Sequence, residues 1–153
     1  VDGWFGKNKK YRNGVKARLQ KFHEQIKNSD SIIFQCGGNN VVKGQSLEKL
    51  QDNFKKLVGT VRYFNQSARI FVGLLIPQTE SSVHVKTRMA YNAWLKEEAA
   101  KGSWKIVDSF GAVQDPTTGL RDRKLSAADG LHLNSDGYAK MAKTALDTIK
   151  YQA

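Results

Sequence analysis

The fold of this chain can be predicted outward from the stretch Ser31-Ile32-Ile33-Phe34-Gln35-Cys36-Gly37-Gly38-Asn39-Asn40. It begins as a continuously apolar run over 31–36, which is typical of a short strand covered on both faces of a parallel sheet. The run ends in two glycines and an asparagine, a sequence suited to presenting the carboxamide of Asn39 at the rim of a sheet. Residues 37–45 are then predicted to form a loop.

Two later apolar segments, 68–76 and 104–108, are predicted to be further strands. They alternate with segments that carry apolar residues at helical spacing, which are predicted helices. The first predicted helix spans 12–27 and the third spans 85–101. The second is capped by Ser46, and the last is capped by Ser135 or Asp136. Helices alternating with buried strands predict an α/β fold, in which a parallel sheet lies between helices on both of its faces.

Helical spacing also predicts which side chains face the core. The predicted inward residues are Val15, Leu19, Phe22 and Ile26 in the first helix, Met89, Trp94 and Leu95 in the third, and Tyr138, Met141, Ala145, Leu146 and Ile149 in the last. The segment 109–128, with Asp115-Pro116 and Gly119, has the composition of a long loop.

That loop leads into a second informative stretch, Asp129-Gly130-Leu131-His132-Leu133-Asn134. An acid and an imidazole three residues apart in a loop can meet edge to edge. The carboxylate then holds one ring nitrogen while the other faces a cleft, which orients a general base for a hydroxyl nucleophile. Ligands of parallel sheets bind at the carboxyl ends of the strands, so we expect the loops of Asn39 and His132 to meet there.

Length and composition indicate a single domain over 1–153, large enough for one hydrophobic core. No apolar run approaches the roughly 18 residues that a membrane helix needs, and residues 1–10 lack the apolar core of a signal peptide. Because no initiator Met is present, the sequence is interpreted as a processed product or a piece of a longer chain. The single cysteine, Cys36, excludes an internal disulfide. Its place at a strand end is typical of a buried structural thiol, with a thiol nucleophile as the alternative.

The net charge of +11 is concentrated near the start of the chain, where the basic residues are Lys7, Lys9, Lys10, Arg12, Lys16, Arg18, Lys21 and Lys27. Trp4, Phe5 and Tyr11 lie between them, a composition that surfaces binding nucleic acid or another polyanion use. The alternative is a solvated helix face on a basic protein. No zinc-finger spacing, RNA-recognition motif, phosphate-binding glycine loop or cluster with metal-ligand spacing is present in the sequence.

The stretches Gly37–Asn40 and Asp129–His132, in this order, resemble two sequence blocks of the SGNH (GDSL-type) hydrolases. The third block of that family is Gly-x-Asn-Asp, with Asn40 here in place of the final Asp. The fifth is Asp-x-x-His, and Gly137-Tyr138 continues its usual wording. The resemblance spans the chain from about residue 1 to the end. It implies one SGNH-hydrolase-like domain over 1–153, incomplete at its N-terminus, with a flavodoxin-like, three-layer fold.

The resemblance also implies roles for individual residues. His132 would remove the proton of a serine and later donate it to the leaving alcohol, and Asp129 would hold the imidazole tautomer. The side-chain amide of Asn39 and the backbone amide of Gly6 would bind the oxyanion. No cofactor and no metal is implied. The structural alternatives are that Asn39 only ties its loop together and that Asp129 and His132 form only a buried hydrogen bond. Asn40 in place of Asp removes a charge beneath the site, which affects the hydrogen bonds that support the loop.

The first block of the family, a strand ending in Gly-Asp-Ser, is not found upstream of Gly37. Three interpretations stay open. A separate N-terminal segment or chain carrying Gly-Asp-Ser completes the sheet, or the scaffold has lost the nucleophile and only binds, or the nucleophile lies elsewhere in this chain. For the third, the candidate is Ser109, because Val107-Asp108-Ser109-Phe110 is similar to Gly-Asp-Ser-Leu and follows a predicted strand.

The function implied is a serine ester hydrolase acting on a small acyl ester, either a carbohydrate acetyl group or a short-chain lipid. The alternative function is a catalytically silent SGNH-like module that binds a polyanion, nucleic acid or a partner protein. The basic N-terminal segment would supply the polyanion contacts.

Overall fold

The structure is a computed structural model that describes residues 14–79 and 84–151. Its elements follow one another in the order α1 (Val15–Lys21), α2 (His23–Lys27), β1 (Ser31–Phe34), α3 (Gly38–Val42), α4 (Leu47–Phe64), β2 (Arg69–Gly73), α5 (Val85–Ala100), β3 (Lys105–Val107), α6 (Ser109–Ala112), a 3-10 turn (Arg123–Leu125) and α7 (Ser135–Tyr151). No helix within the described ranges is long and apolar enough to cross a membrane.

The strands of the described residues form a parallel sheet in the order β1-β2-β3. Ser31 lies opposite Arg69, and Phe71 lies opposite Lys105. The sheet is flanked by helices, which confirms the predicted α/β fold. Each strand is shorter than its apolar run. After β2, Leu74 and Leu75 lie outside the strand but stay buried, and the backbone N–H of Leu74 still donates to the carbonyl oxygen of Val107 at 3.1 Å.

The core is centred on Phe54 of α4, which is 2% exposed. Its ring makes edge-to-face contacts with four other aromatic rings, those of Phe34, Tyr91, Trp94 and Trp104. The other buried apolar residues of α4, at positions 50, 57 and 61, continue the same helical stripe. Ser46 accepts a hydrogen bond from the backbone N–H of Lys49 at 3.3 Å, so the predicted cap of this helix is confirmed.

The prediction of one continuous helix over 12–27 was wrong. Its predicted start at Arg12 lies outside the described residues. The chain breaks at Phe22 (φ −104°, ψ 32°) into α1 and α2. Phe22, predicted to face the core, is 46% exposed, while Ile26 is buried as expected. In α5 the prediction was right for Trp94 and Leu95 and wrong for Met89, which is 47% exposed.

Two segments predicted as loops contain short helices. The segment 37–45 includes α3, and 109–128 includes α6 and the 3-10 turn. In α6 the carboxylate of Asp108 accepts a hydrogen bond from the backbone N–H of Gly111 at 2.9 Å. Helices of about one turn are too short to produce an apolar period, which is why the sequence did not indicate them.

The last helix is capped by Asn134, and not by the predicted Ser135 or Asp136. The side chain of Asn134 accepts from the backbone N–H of Gly137 at 3.0 Å. Gly137 is the buried residue of this helix, and a Cβ there would lie 2.5 Å from the carbonyl oxygen of Leu125. Helix α7 therefore approaches that segment as closely as its backbone allows.

The predicted inward face of α7 was wrong for two residues, since Tyr138 is 54% and Leu146 is 56% exposed. On the sheet, β1 pairs with β2 and with no other described strand, and Ile33 of β1 is 46% exposed. In the described structure the outer edge of β1 is therefore an open side of the sheet.

Candidate active site

The turn that follows β1 places Asn39 at the carboxyl end of the sheet. Gly37 has φ +113°, a conformation that side chains other than glycine rarely adopt, and a Cβ there would lie 3.1 Å from the Tyr91 ring. Helix α3 starts immediately after this turn. Within the described part of the chain, the exposed carboxamide of Asn39 makes no hydrogen bond, so it is available to a ligand.

The neighbouring Asn40 has a structural role. Its Nδ2 donates to Oε1 of Gln45 at 2.9 Å, and the same oxygen lies 3.4 Å from Nδ2 of Asn53 in α4. The amide that replaces the usual acid of this block therefore supports the loop through a neutral hydrogen-bond network. Asn40 therefore bonds to a neutral residue of its own loop and not to a charged partner.

The Asp129 turn aligns a carboxylate with an imidazole. Oδ2 of Asp129 lies 2.6 Å from Nδ1 of His132, and Oδ1 accepts from the backbone N–H groups of Leu131 and His132, both at 2.9 Å. The hydrogen bond with the His132 ring, followed by the two backbone N–H groups, lowers the pKa of Asp129. With Nδ1 engaged, Nε2 of His132 is the ring nitrogen left for a reacting group.

This pair is exposed, which separates it from the hydrophobic core. The side chains of His132 and Asp129 are 64% and 50% exposed. Exposed ion pairs contribute little to the free energy of folding. The predicted alternative of a buried structural hydrogen bond therefore does not describe the environment of this pair.

Arg121 also supports the turn that contains Asp129 and His132. This role was not predicted from the sequence. Arg121 is 4% exposed, and its Nη1 and Nη2 donate to the carbonyl oxygens of Leu131 and Gly130 at 2.9 and 2.5 Å. Oγ1 of Thr79 donates to the same Gly130 oxygen at 2.9 Å. An arginine in a long loop gives no periodic signal, so only the folded arrangement reveals this contact.

Asn39 and His132 line one cavity of about 460 Å³, a size typical of small-molecule sites. Much of its wall is apolar and is formed by Leu50, Phe54, Leu57, Leu75, Ile76 and Met141. The structure thus places the carboxamide and the imidazole that the two sequence motifs supply on the wall of one cavity. The cavity suits a ligand with an apolar part and a polar group near these side chains.

The sequence matches the GDSL-like lipase/acylhydrolase family over residues 5–140. The chain belongs to this family. The match confirms the resemblance seen in the two motifs and supports a hydrolase of ester type. No curated protein sequence matches this GDSL-like chain.

Solved structures with the same fold include a GDSL-like lipase from Bacteroides thetaiotaomicron, with 14% identity and a TM-score of 0.73 over 92% of this chain and 73% of the lipase. A carbohydrate esterase family 3 protein from Talaromyces cellulolyticus has 18% identity and a TM-score of 0.67 over 86% of this chain and 63% of the esterase. The OSK domain of Drosophila Oskar has 16% identity and a TM-score of 0.67 over 79% of this chain and 62% of that domain. At these identities the likeness shows the fold, and the chain spans less than two thirds of the latter two proteins.

In this GDSL-like chain, the candidate nucleophile Ser109 is not brought together with His132. Ser109 is 2% exposed, and its Oγ donates to Oε1 of Gln35 at 3.0 Å. Nε2 of Gln35 in turn donates to the carbonyl oxygen of Leu74 at 3.1 Å. The described residues that line the cavity include Gln35 but not Ser109. Gly6, the second predicted oxyanion donor, lies outside the described residues.

Cys36 lines the cavity, but its environment disfavours a reactive thiolate. Burial raises the pKa of the Cys36 thiol to about 11. Since the thiolate is the nucleophilic form, a cysteine with this pKa reacts slowly near neutral pH. The thiol-nucleophile alternative therefore has no support in the geometry.

Two polar residues of α5 were also missed from the sequence. The carboxamide of Asn92 pairs with the backbone of Leu75 through two hydrogen bonds, both 2.9 Å long. Nη1 of Arg88 donates to the carbonyl oxygen of Ile76 at 2.9 Å. Both contacts fix residues 75 and 76, where the chain has left the β2 ladder and forms part of the cavity wall.

Proposed function

We propose that this chain supplies the general base and an oxyanion donor of a serine ester hydrolase whose serine lies outside residues 1–153. One observation carries the proposal: the exposed, carboxylate-held imidazole of His132 lines the same cavity as the carboxamide of Asn39, which has no described hydrogen-bond partner. An exposed Asp–His pair contributes little to folding, so its alignment at a cavity is best explained by chemistry.

In the proposed reaction, Nε2 of His132 takes the proton of the serine hydroxyl as its oxygen attacks the acyl carbonyl carbon. The carbonyl π electrons move to the oxygen, and the side-chain amide of Asn39 donates a hydrogen bond to this oxyanion, with the Gly6 amide as a second donor. The tetrahedral intermediate then collapses, and the imidazolium protonates the leaving alcohol. Asp129 stabilises the imidazolium throughout without accepting its proton.

The acyl-enzyme is then cleaved by the same groups. His132 removes a proton from water, the hydroxide adds to the acyl carbon, and the serine leaves with the proton that His132 returns. The products are an alcohol and a carboxylic acid, and the chain is unchanged. The substrate class proposed is a small acyl ester, either an acetylated carbohydrate or a short-chain lipid.

The open side of the sheet supports a supplied serine. A segment that added to the free edge of β1 in parallel would have its carboxyl end at the same rim as Asn39, because the carboxyl ends of parallel strands share one edge. Ile33 of β1, which is 46% exposed, would gain cover from such a segment. We propose that a segment or chain ending in Gly-Asp-Ser occupies this position.

The test is hydrolysis of a short-chain p-nitrophenyl ester by the chain in its native assembly, including any polypeptide that co-purifies with it. We expect His132→Ala to abolish the activity and His23→Ala to preserve it. His23 is a matched control because it also contacts an acid, Glu24, but does so on α2. Activity that is equal in both variants, or no activity in the native assembly, would contradict the proposal.

A second candidate is a catalytically silent module that binds a polyanion. The observation in its favour is the net charge of +11, together with the exposed Lys16, Lys21 and Lys27 on α1 and α2. Filter binding of single-stranded RNA during a salt titration tests this candidate. Affinity that falls steeply with salt is expected if phosphate contacts drive binding, and weak binding at all salt concentrations would exclude it.

A further inference from the structure

The cavity has a charge pattern that the ester chemistry does not require. Among the described residues that line it are Arg18, Arg88 and His132, and none is an aspartate or a glutamate. Asp129 engages His132 but is not among the lining residues. The described wall of the cavity therefore carries the guanidinium groups of Arg18 and Arg88 and no carboxylate.

Arg88 is the most deeply placed of these groups, with 7% of its surface exposed. Its Nη1 donates to the carbonyl oxygen of Ile76, while its Nε is buried and has no hydrogen-bond partner. No described carboxylate forms an ion pair with it. Burying a guanidinium without a counter-ion is costly, so such a group is explained when an anion from outside completes it.

The electrostatic surroundings of Arg88 agree with this reading. Burial, and then the like charge of Arg121, lower the pKa of Arg88. Both effects disfavour the charged guanidinium, and the attraction of an oxyanion placed beside it would offset them. The planar guanidinium is also the side chain whose geometry best matches a carboxylate or phosphate.

The position of Arg88 connects this charge to the turn that presents Asn39. Its Nη1 lies 4.0 Å from the position that a Cβ would occupy on Gly38, the residue before Asn39. The apolar wall formed by Leu50, Phe54 and Leu57 lines the same cavity. A bound molecule would therefore meet a positive group, an apolar wall and the candidate oxyanion donor together.

We infer that this cavity takes an acidic ester, a molecule that joins a short apolar chain to a carboxylate or phosphate, and that Arg88 recognises the anionic group. That the ligand is an ester rests on the proposed function, whereas the recognition of its anionic group by Arg88 does not. Arg88 is thus assigned as a specificity-determining residue, and a neutral acyl ester is the poorer ligand.

The test compares monomethyl adipate with dimethyl adipate, which share chain length and an ester group and differ in one negative charge. Dissociation constants are measured by NMR titration of the native chain and of the His132→Gln variant. In the variant, neither ester hydrolysis nor an imidazolium charge can contribute to the measured affinity. A charge-assisted hydrogen bond is expected to favour the monoester by about tenfold. Hexyl phosphate against hexanol is a second pair, which distinguishes a phosphate from a carboxylate ligand.

The decisive variant is Arg88→Gln, which removes the charge and keeps an amide donor for the Ile76 carbonyl. We expect the preference for the anionic member of each pair to disappear in this variant. The matched control is Arg62→Met, because Arg62 also ties backbone carbonyls, those of Gln66 and Ala68, but does not line the cavity. Arg62→Met should retain the full preference.

Equal affinity for the two adipates in the native chain overturns the inference, and this comparison needs no variant to fold. A preference that survives in Arg88→Gln overturns it as well. Neither measurement requires hydrolysis. If the chain binds the anion but cleaves no ester, only the proposed function is contradicted. If the chain is active but shows no preference for the anion, only this inference is contradicted.

Discussion

Oδ2 of Asp129 lies 2.6 Å from Nδ1 of His132 in a turn where both side chains are at least half exposed. The other oxygen of the carboxylate accepts hydrogen bonds from two backbone N–H groups of the same turn, so the backbone also fixes the orientation of the carboxylate. A contact this well oriented and this exposed is expected to matter for reactivity much more than for folding.

Replacing Asp129 with Asn should separate these two effects. The neutral amide no longer stabilises an imidazolium, and in serine hydrolase triads the corresponding change lowers kcat by about 10⁴-fold. The melting temperature should change little because the pair is exposed. Asp136→Asn, an exposed acid in the first turn of α7, is the control and should keep full activity. A large fall in melting temperature without loss of activity would contradict this assignment.

The lowered pKa of Asp129 predicts how the turn responds to acid. Because the pKa in the folded chain lies below that of an exposed aspartate, the carboxylate contributes its full stabilisation above about pH 4 and loses it as the pH falls toward the folded value. We expect the side-chain carboxyl carbon of Asp129 to keep the chemical shift of the ionised form at the pH where an ordinary aspartate is half protonated, and to change only at lower pH. Carbon-13 NMR measures this, and a change centred at the ordinary aspartate pKa would contradict the proposed hydrogen bonds.

Asn39→Ala tests the oxyanion donor. Loss of one such donor lowers kcat by about 10²–10³-fold, or about 3 kcal/mol in the transition state, with KM nearly unchanged. Asn40→Ala is the matched control next to it. Since Asn40 bonds Gln45 in the loop, its removal should lower the free energy of unfolding by about 1 kcal/mol. Steady-state kinetics and urea unfolding of both variants measure the contrast, and similar behaviour of the two would count against the role of Asn39.

Arg121→Met tests whether the turn depends on its buried support. The change leaves the carbonyl oxygens of Gly130 and Leu131 without these donors, which should cost about 1–3 kcal/mol and loosen the turn. Faster amide hydrogen exchange at Leu131 and His132 and a lower kcat are the expected results. Arg123→Met, at an exposed position of the 3-10 turn, should alter neither. Unchanged exchange in Arg121→Met would show that Thr79 and the backbone suffice.

The parts of the fold that the sequence predicted are those encoded by neighbouring residues. The apolar run of β1, the stripe of α4 and the Ser46 cap depend on local spacing, and all three are found in the structure. The face of α7 was wrong because periodicity identifies a stripe of apolar residues but cannot say whether another element covers it. Tyr138 and Leu146 show this, since they lie on the predicted face and remain exposed.

The same distinction applies to the site. Asp129 and His132 are three residues apart, so their contact follows from the turn, and Asn39 follows from the glycines before it. Arg88 and Arg121 act on carbonyl groups that only the tertiary fold brings to them, and nothing in their neighbouring sequence indicates it. The nucleophile is the extreme case, because the proposed serine is not in the same stretch of chain.

The most direct measurement of the central claim is fluorophosphonate labelling of the native assembly, followed by peptide mass spectrometry. The account predicts that the label is found on a serine of a Gly-Asp-Ser peptide outside residues 1–153, and that His132→Ala abolishes the labelling. A label on Ser109 or on another serine of this chain, or labelling that persists in His132→Ala, would contradict it.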